Sequence, residues 1–206
     1  MGTEDWSRVR DAFGQAAQWF AQVVPYGHGR WAEPALGQWT VRDLVGHTSR
    51  ALLTVEAYLA HPATAVDVST SVEYFPRALE GLGGEAAVAQ RGRDAGAALG
   101  EDPATTIAQI VQRAIAGLAG HNGETLLGTP VGGMRLINYL PTRTFELTVH
   151  TCDLASALGR PLDVPPGAAT ETLHLVSGLA TDADLAGPLL LAATGRGSLP
   201  AGFSVL

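Results

Sequence analysis

Phe145-Glu146-Leu147-Thr148-Val149-His150-Thr151-Cys152-Asp153-Leu154-Ala155 is the stretch on which the reading of this chain turns. It reads as helix, and at 3.6 residues per turn Glu146 and His150 project from one face, one above the other. A carboxylate and an imidazole so placed can supply two ligands of a metal site, and neither completes it alone. Taken in isolation, the pair reads as a surface i,i+4 contact. Phe145, Leu147, Val149 and Leu154 surround it, however, so the segment is expected to be largely buried, where unpaired charge is costly.

Outward from this stretch the pattern stays helical. The motif helix is predicted from about Leu136 to Leu158, with Pro141 in its first turn or at a kink, and Gly159-Arg160-Pro161 stops it. Upstream, Trp39-Thr40-Val41-Arg42-Asp43-Leu44 reads as a helix start: Thr40 caps, Asp43 returns the bond, and Trp39 packs on Leu44 as a staple. That helix runs to about Ala60, and His47 lies two turns inside it with its direction set by the cap. His47 is therefore the candidate third ligand; the competing reading makes it a satisfied core histidine. Apolar spacing predicts a first helix over 5–24, a weaker one through about Leu99, and another opened by Asp102-Pro103 and running to about Gly120. Residues 25–38, 61–83 and 121–134 read mainly as loops, with a turn or short helix start open at Val72-Glu73-Tyr74-Phe75 and a short extended piece within 121–134; Trp31, Tyr74 and Phe75 are lid candidates. Pro165-Pro166 launches a last long helix, followed by a short apolar piece from Pro188 to Ala193. The fold class is all-α: an antiparallel bundle of about four main helices with extra helices at the C-terminal end. One domain over 1–206 is expected, its core about 5–160 and its helical extension about 165–206.

Composition narrows the function. The 206 residues are 46% hydrophobic and 16% charged, which is globular rather than disordered. All 13 basic residues are Arg, and the formal charge of −7 argues against a nucleic-acid surface. A single Cys excludes an intrachain disulfide, and it fits a reducing, cytoplasmic setting. No run of about 18 apolar residues predicts a membrane span.

Trp39-Thr40-Val41-Arg42-Asp43-Leu44-Val45-Gly46-His47 resembles the W-[TS]-V-x-[DE]-L-V-x-H signature of the mycothiol-dependent maleylpyruvate isomerase and DinB-like superfamily. Glu146 through Ala155 is similar to its E-x-x-x-H-x-W-D-L-A signature, and Leu189 through Arg196 to its L-x-L-A-L-T-G-R tail motif. The resemblance runs in order from about residue 5 to 196. It implies a DinB-like four-helix bundle with an up-down-down-up arrangement, and a divalent metal, usually zinc, on His47, Glu146 and His150. It also implies a low-molecular-weight thiol, mycothiol, acting on a small electrophile by S-transfer or thiol-assisted isomerisation. The alternatives are a metal hydrolase using bound water and a non-catalytic metal-stabilised binding or dimerisation module. Related bundles pair helices into homodimers. Two departures bear on the isomerase reaction: Cys152 stands where Trp is common, and 206 residues leave no room for a further C-terminal α/β domain.

Among the neighbours, Asp153 reads as an acceptor that orients His150 or as a plain salt-bridge partner. Arg143, one turn before Glu146, reads as a structural ion pair, a clamp on the Glu146 carboxylate or an anchor for an anionic substrate. Cys152 should face away from the ligands, as a small buried hydrophobe. His28, His61, His121 and His174 have no partner at ligand spacing, although His61 and His121 are candidates for a pocket mouth.

Overall fold

The computed structural model describes residues 3–81 and 83–206, and its elements follow from their termini. Helix α2 (Val41–Leu59) starts with the expected reciprocal cap. The Asp43 amide donates to the Thr40 hydroxyl oxygen at 3.2 Å, and the Asp43 carboxylate accepts from the Thr40 amide at 3.0 Å. Helix α5 (Pro103–Gly117) starts with Asp102 accepting from the Thr105 amide at 3.1 Å and with proline at its first position. Helix α6 (Leu136–Ala157) has no side-chain cap. Its first free amides are instead taken by loop carbonyls, Leu136 to Thr125 at 2.8 Å and Ile137 to Gly123 at 3.1 Å.

With α1 (Thr3–Val23), these helices pack in a ring in the order α1, α6, α2, α5. Phe13 and Phe20 of α1, Leu44 and Leu52 of α2, Ile107 of α5, and Leu147 and Leu154 of α6 are fully buried at its centre. Each such side chain contributes about 1.5–3 kcal/mol through burial. Helix α4 (Gly84–Ala98) lies along α2, α7 (Pro166–Asp182) covers α6 and α1, and α8 (Ala186–Ala193) rests on α7. Ala168, Leu175 and Leu179 of α7 join the same hydrophobic core. This is an all-α, DinB-like bundle. Among the described residues no helix is long and apolar enough to cross a membrane.

The contact of α4 with α2 is unusually close. A Cβ on Gly46 would fall 2.1 Å from the Gly96 backbone nitrogen, and one on Gly92 would fall 2.6 Å from the Trp39 ring. Only glycine lets the two backbones meet there, which explains why α4 is rich in Ala and Gly and carries little apolar bulk.

Several stretches depart from the sequence reading. Residues 61–83, read mostly as loop, contain helix α3 (Ser71–Glu80), so Tyr74 and Phe75 sit buried on a helix rather than on a lid. Thr70 caps α3 by accepting from the Glu73 amide at 3.0 Å, while Glu73 takes the Ser69 amide at 2.8 Å. Residues 121–134, read mainly as loop, hold the hairpin β3 (Leu126–Thr129) and β4 (Gly132–Arg135). The hairpin is tied to the preceding loop: Asp67 accepts from the Gly133 amide at 2.7 Å, and the Gly133 carbonyl accepts from the amides of Asp67 and Val68. Residues 25–38 begin with a 3-10 turn (Val24–Gly27) and include a short strand, β1 (Pro34–Leu36), paired with β2 (Trp39–Thr40). Of the two positions open to Pro141, the structure puts it inside α6, which tolerates the missing amide where packing holds it on every side.

Candidate metal centre

His47 enters from α2, and Glu146 and His150 enter from α6. One ligand atom from each lies within 4.8 Å of the others. The His47 and His150 rings meet edge to face, their centroids 4.8 Å apart at 86°. Nε2 of His150 lies 3.4 Å from the Glu146 carboxylate, and its Nδ1 lies 3.0 Å from Asp153. Asp153 thus holds the second nitrogen of the ring, as an orienting carboxylate does, and no Arg bridges it among the described residues.

Behind His47 stands Trp39, with ring centroids 4.3 Å apart and its indole N–H donating to the Ala89 carbonyl at 3.0 Å. The residue read as a staple is therefore also the wall that fixes His47. Gly92 makes room for it, so α4 sets the position of a candidate ligand on α2 through one indole ring.

The two imidazoles differ in charge. Burial, aided by the nearby His150, pushes His47 down to about 4, so its ring is neutral at pH 7 and keeps a lone pair for a metal. Its Nδ1 is buried without a hydrogen-bond partner. Burial works the opposite way to the final shift at His150, where the bonds to Asp153 and then Glu146 raise the ring to about 9. Glu146 also resists burial: the bond from His150 and the charge of Arg143 hold it at about 2. A neutral imidazole, an ionised carboxylate and an imidazole whose two nitrogens each face a carboxylate are a donor set that fits a divalent cation, with the cation taking the place of the Nε2 proton on the Glu146 side.

A cavity of about 460 Å³ opens beside the cluster. His47 and Glu146 line it, together with Arg50, Tyr58, Tyr74 and Arg143, while His150 lies outside its lining. Val131 of the hairpin turn and Leu206 at the C-terminal end close other sides. His61 and His121 do not reach it, whereas His47, Arg50, Thr54 and Tyr58 form one helical stripe facing it. That stripe is visible as i, i+3, i+7, i+11 spacing, and it was the missed signal for Arg50 and Tyr58. A cavity of similar size, about 470 Å³, runs along α1 and α5 and shares no lining residue with the first.

Arg143 makes no ion pair among the described residues, against the structural-pair reading. Its guanidinium is stacked instead on the rings of Tyr74 and Tyr139, 5.4 and 5.2 Å from their centroids, and Nε donates to the Thr142 hydroxyl at 3.0 Å. Burial opposes its charge, but Tyr139, Tyr74 and Glu146 more than offset this and raise its pKa. Cys152 is half-buried, and burial followed by the charge of Asp153 raises its thiol, which makes it a poor nucleophile.

The mostly helical bundle is DinB-like in class. Residues 13–155 match the family model described as the mycothiol maleylpyruvate isomerase N-terminal domain, and the chain belongs to that family. The match spans α1 to α6 and contains both candidate ligand segments. No curated protein and no solved structure matches the chain.

Proposed function

We propose that this protein is a metal-dependent enzyme that uses mycothiol, or a similar small thiol, on a small electrophile by S-transfer or thiol-assisted isomerisation. One observation carries the reading: three ligand atoms from His47, Glu146 and His150 lie within 4.8 Å of one another beside a cavity of about 460 Å³. Three protein ligands with room for one more is the pattern of a catalytic centre, whereas a structural site is closed by four. Zinc suits two imidazoles and a carboxylate. Bound there, the ion would supply a thiolate at neutral pH from a thiol whose pKa is ordinarily about 8.5.

The chain's own residues do the rest. His47 is ready to bind because it is neutral. Glu146 brings the charge that draws a cation into a partly buried place. Asp153 holds His150 Nδ1 and so aims its other nitrogen toward Glu146. Tyr74 and Phe75 form an apolar wall that limits water. Cys152 takes no part, so the sulfur nucleophile comes with the ligand. In this reading α7 and α8 belong to the same unit as the bundle, since α7 contributes to its core.

The test is turnover of the zinc-loaded protein on a panel of electrophiles with and without mycothiol. Thiol-dependent consumption of an electrophile is expected. Equal turnover without thiol would replace the mechanism with hydrolysis by bound water, and failure to bind zinc stoichiometrically would end the enzyme reading.

A further inference from the structure

Helix α8 carries no polar or charged side chain, yet none of its residues is buried. A helix that is apolar all round belongs inside a protein. Ala186, Leu189 and Ala192 are half-buried where α8 rests on α7, at three-residue spacing. Gly187, Pro188, Leu190 and Leu191 are exposed, Leu190 at 63% and Leu191 at 51%. The stretch from Leu189 to Arg196 lies beyond the matched residues 13–155, and none of it lines the cavity beside the candidate metal cluster. The site therefore gives no reason for the bare leucines.

Charge stands only at the two ends of this helix. Asp184 precedes it at φ 58°, the one non-glycine residue in the left-handed region among the described residues, where aspartate is tolerated. Arg196 follows it, its amide donating to the Leu191 carbonyl at 2.8 Å. Both side chains are exposed, and neither makes an ion pair among the described residues. Leu190 is the midpoint of the sequence between them. A two-fold axis repeats one patch on both partners, so that residue i meets j and j meets i. Two α8 helices laid antiparallel across an axis at Leu190 bring leucine to leucine at the centre. At both ends they bring Asp184 of one copy to Arg196 of the other. A parallel pair would instead set Asp184 against Asp184. The formal charge of −7 opposes association of two chains in general, and this uncharged face is where that opposition is least.

We infer that α8 is a self-association surface, covered by a second copy of this chain in an antiparallel two-fold pair centred on Leu190 and closed at each end by Asp184 and Arg196. The patch is small. A helix of 8 residues is about 12 Å long and covers much less than the ~800 Å² per partner of a standard interface. The pair is accordingly reversible, with a dissociation constant on the order of 10 μM. It does not depend on the proposed chemistry, because these residues stand apart from the cavity lining.

Sedimentation equilibrium of the full chain, metal-free and zinc-loaded, from about 1 μM to about 1 mM tests the pair. The mass should rise with concentration from 21.4 kDa toward twice that value, alike in both forms. Leu190→Glu sets two carboxylates against each other at the axis and should weaken association on the order of a hundredfold. Zinc stoichiometry and far-ultraviolet dichroism should stay as they are, because the position is exposed. Arg196→Glu and Asp184→Lys should each weaken association about tenfold at low salt, and the double variant should recover most of the loss, since opposite charges again meet across the axis. Urea midpoints taken at low concentration establish that each variant is folded. A single 21.4-kDa species at about 1 mM would overturn the pairing and leave α8 to a different partner. Wild-type association by a folded Leu190→Glu would overturn the assignment to α8. A double variant no better than either single one would overturn the antiparallel register.

Discussion

His47 and His150 are the same residue in one cluster, their ring centroids 4.8 Å apart, and they are held in opposite states. His47 lies against an indole face, has no hydrogen-bond partner for Nδ1, and is pushed down to about 4 by burial. His150 is enclosed too, yet two carboxylates within 3.4 Å outweigh burial and raise it to about 9. Burial alone therefore does not set the charge of a histidine; its neighbours at hydrogen-bond range do. The contrast divides the labour of a metal site. One imidazole is ready to bind, and the other is kept oriented by acids that must give up a proton when a cation arrives.

The strongest way to break the comparison is to remove one ring. His150→Ala should abolish stoichiometric zinc binding, measured by elemental analysis of the purified protein, and His47→Ala should do the same. Retained metal in either variant would show that the cluster is not the site.

A second break acts on the backbone contact that sets His47. Gly46→Ala would place a methyl 2.1 Å from the Gly96 nitrogen, which cannot move away as a side-chain tip can. Overpacking of this kind costs about 1–3 kcal/mol, or more where backbone must yield. Urea unfolding should show the loss together with weakened zinc binding, and wild-type values in both would remove the α4 buttress from the account.

The protonation contrast is tested by pH. A cation must displace one proton from His150, so zinc affinity should rise about tenfold per pH unit below about 9 and flatten above it. Asp153→Asn weakens the bond at Nδ1 that does most to raise His150, so the flattening should move to lower pH. In the metal-free chain the two rings act oppositely on stability. His150 is raised from 6.5, so its contribution is fully present below 6.5 and is lost as pH rises through about 9. His47 is depressed from 6.5, so its contribution is present above 6.5 and is lost as pH falls through about 4. Glu146 adds a loss as pH falls from 4.5 through about 2. Urea midpoints of the metal-free chain should therefore peak near 6.5, with His47→Gln flattening the acid side and His150→Gln the alkaline side.

The smallest expected effect is at the start of α2. Thr40→Ala removes the cap that starts the His47 helix and should cost about 1 kcal/mol, with zinc stoichiometry kept. An unchanged urea midpoint would mean that packing alone fixes that helix.

The candidate cluster was legible in the sequence because local signals placed its members: an i,i+4 spacing for Glu146 and His150, and a capping box for His47. The helix class was legible for the same reason. Helix α3 was legible only as a turn or short helix start at Val72 to Phe75, although Thr70 and Glu73 stand at capping-box spacing, because Pro76 interrupts the segment and no long apolar stripe follows. The β3–β4 hairpin was legible only as a short extended piece because its glycines carry no alternation, and Asp67, which accepts from the Gly133 amide, lies far back in the chain. In the sequence Arg143 reads as an ion pair, a clamp on Glu146 or an anchor for an anionic substrate, and its stacking on Tyr74 is not legible because only the fold of α3 brings that ring over it. What escaped the sequence at the hairpin and at Arg143 was thus non-local contact, whereas at α3 it was an internal proline.

The C-terminal tail has a practical consequence. Val205 packs against the core and Leu206 forms part of the cavity wall. Residues joined after Leu206, such as a purification tag, would leave from the rim of the cavity and crowd ligands there. Protein carrying an uncleaved tag at that end would then read as weak or inactive in the assays above, so a tag at the other end is the sounder preparation.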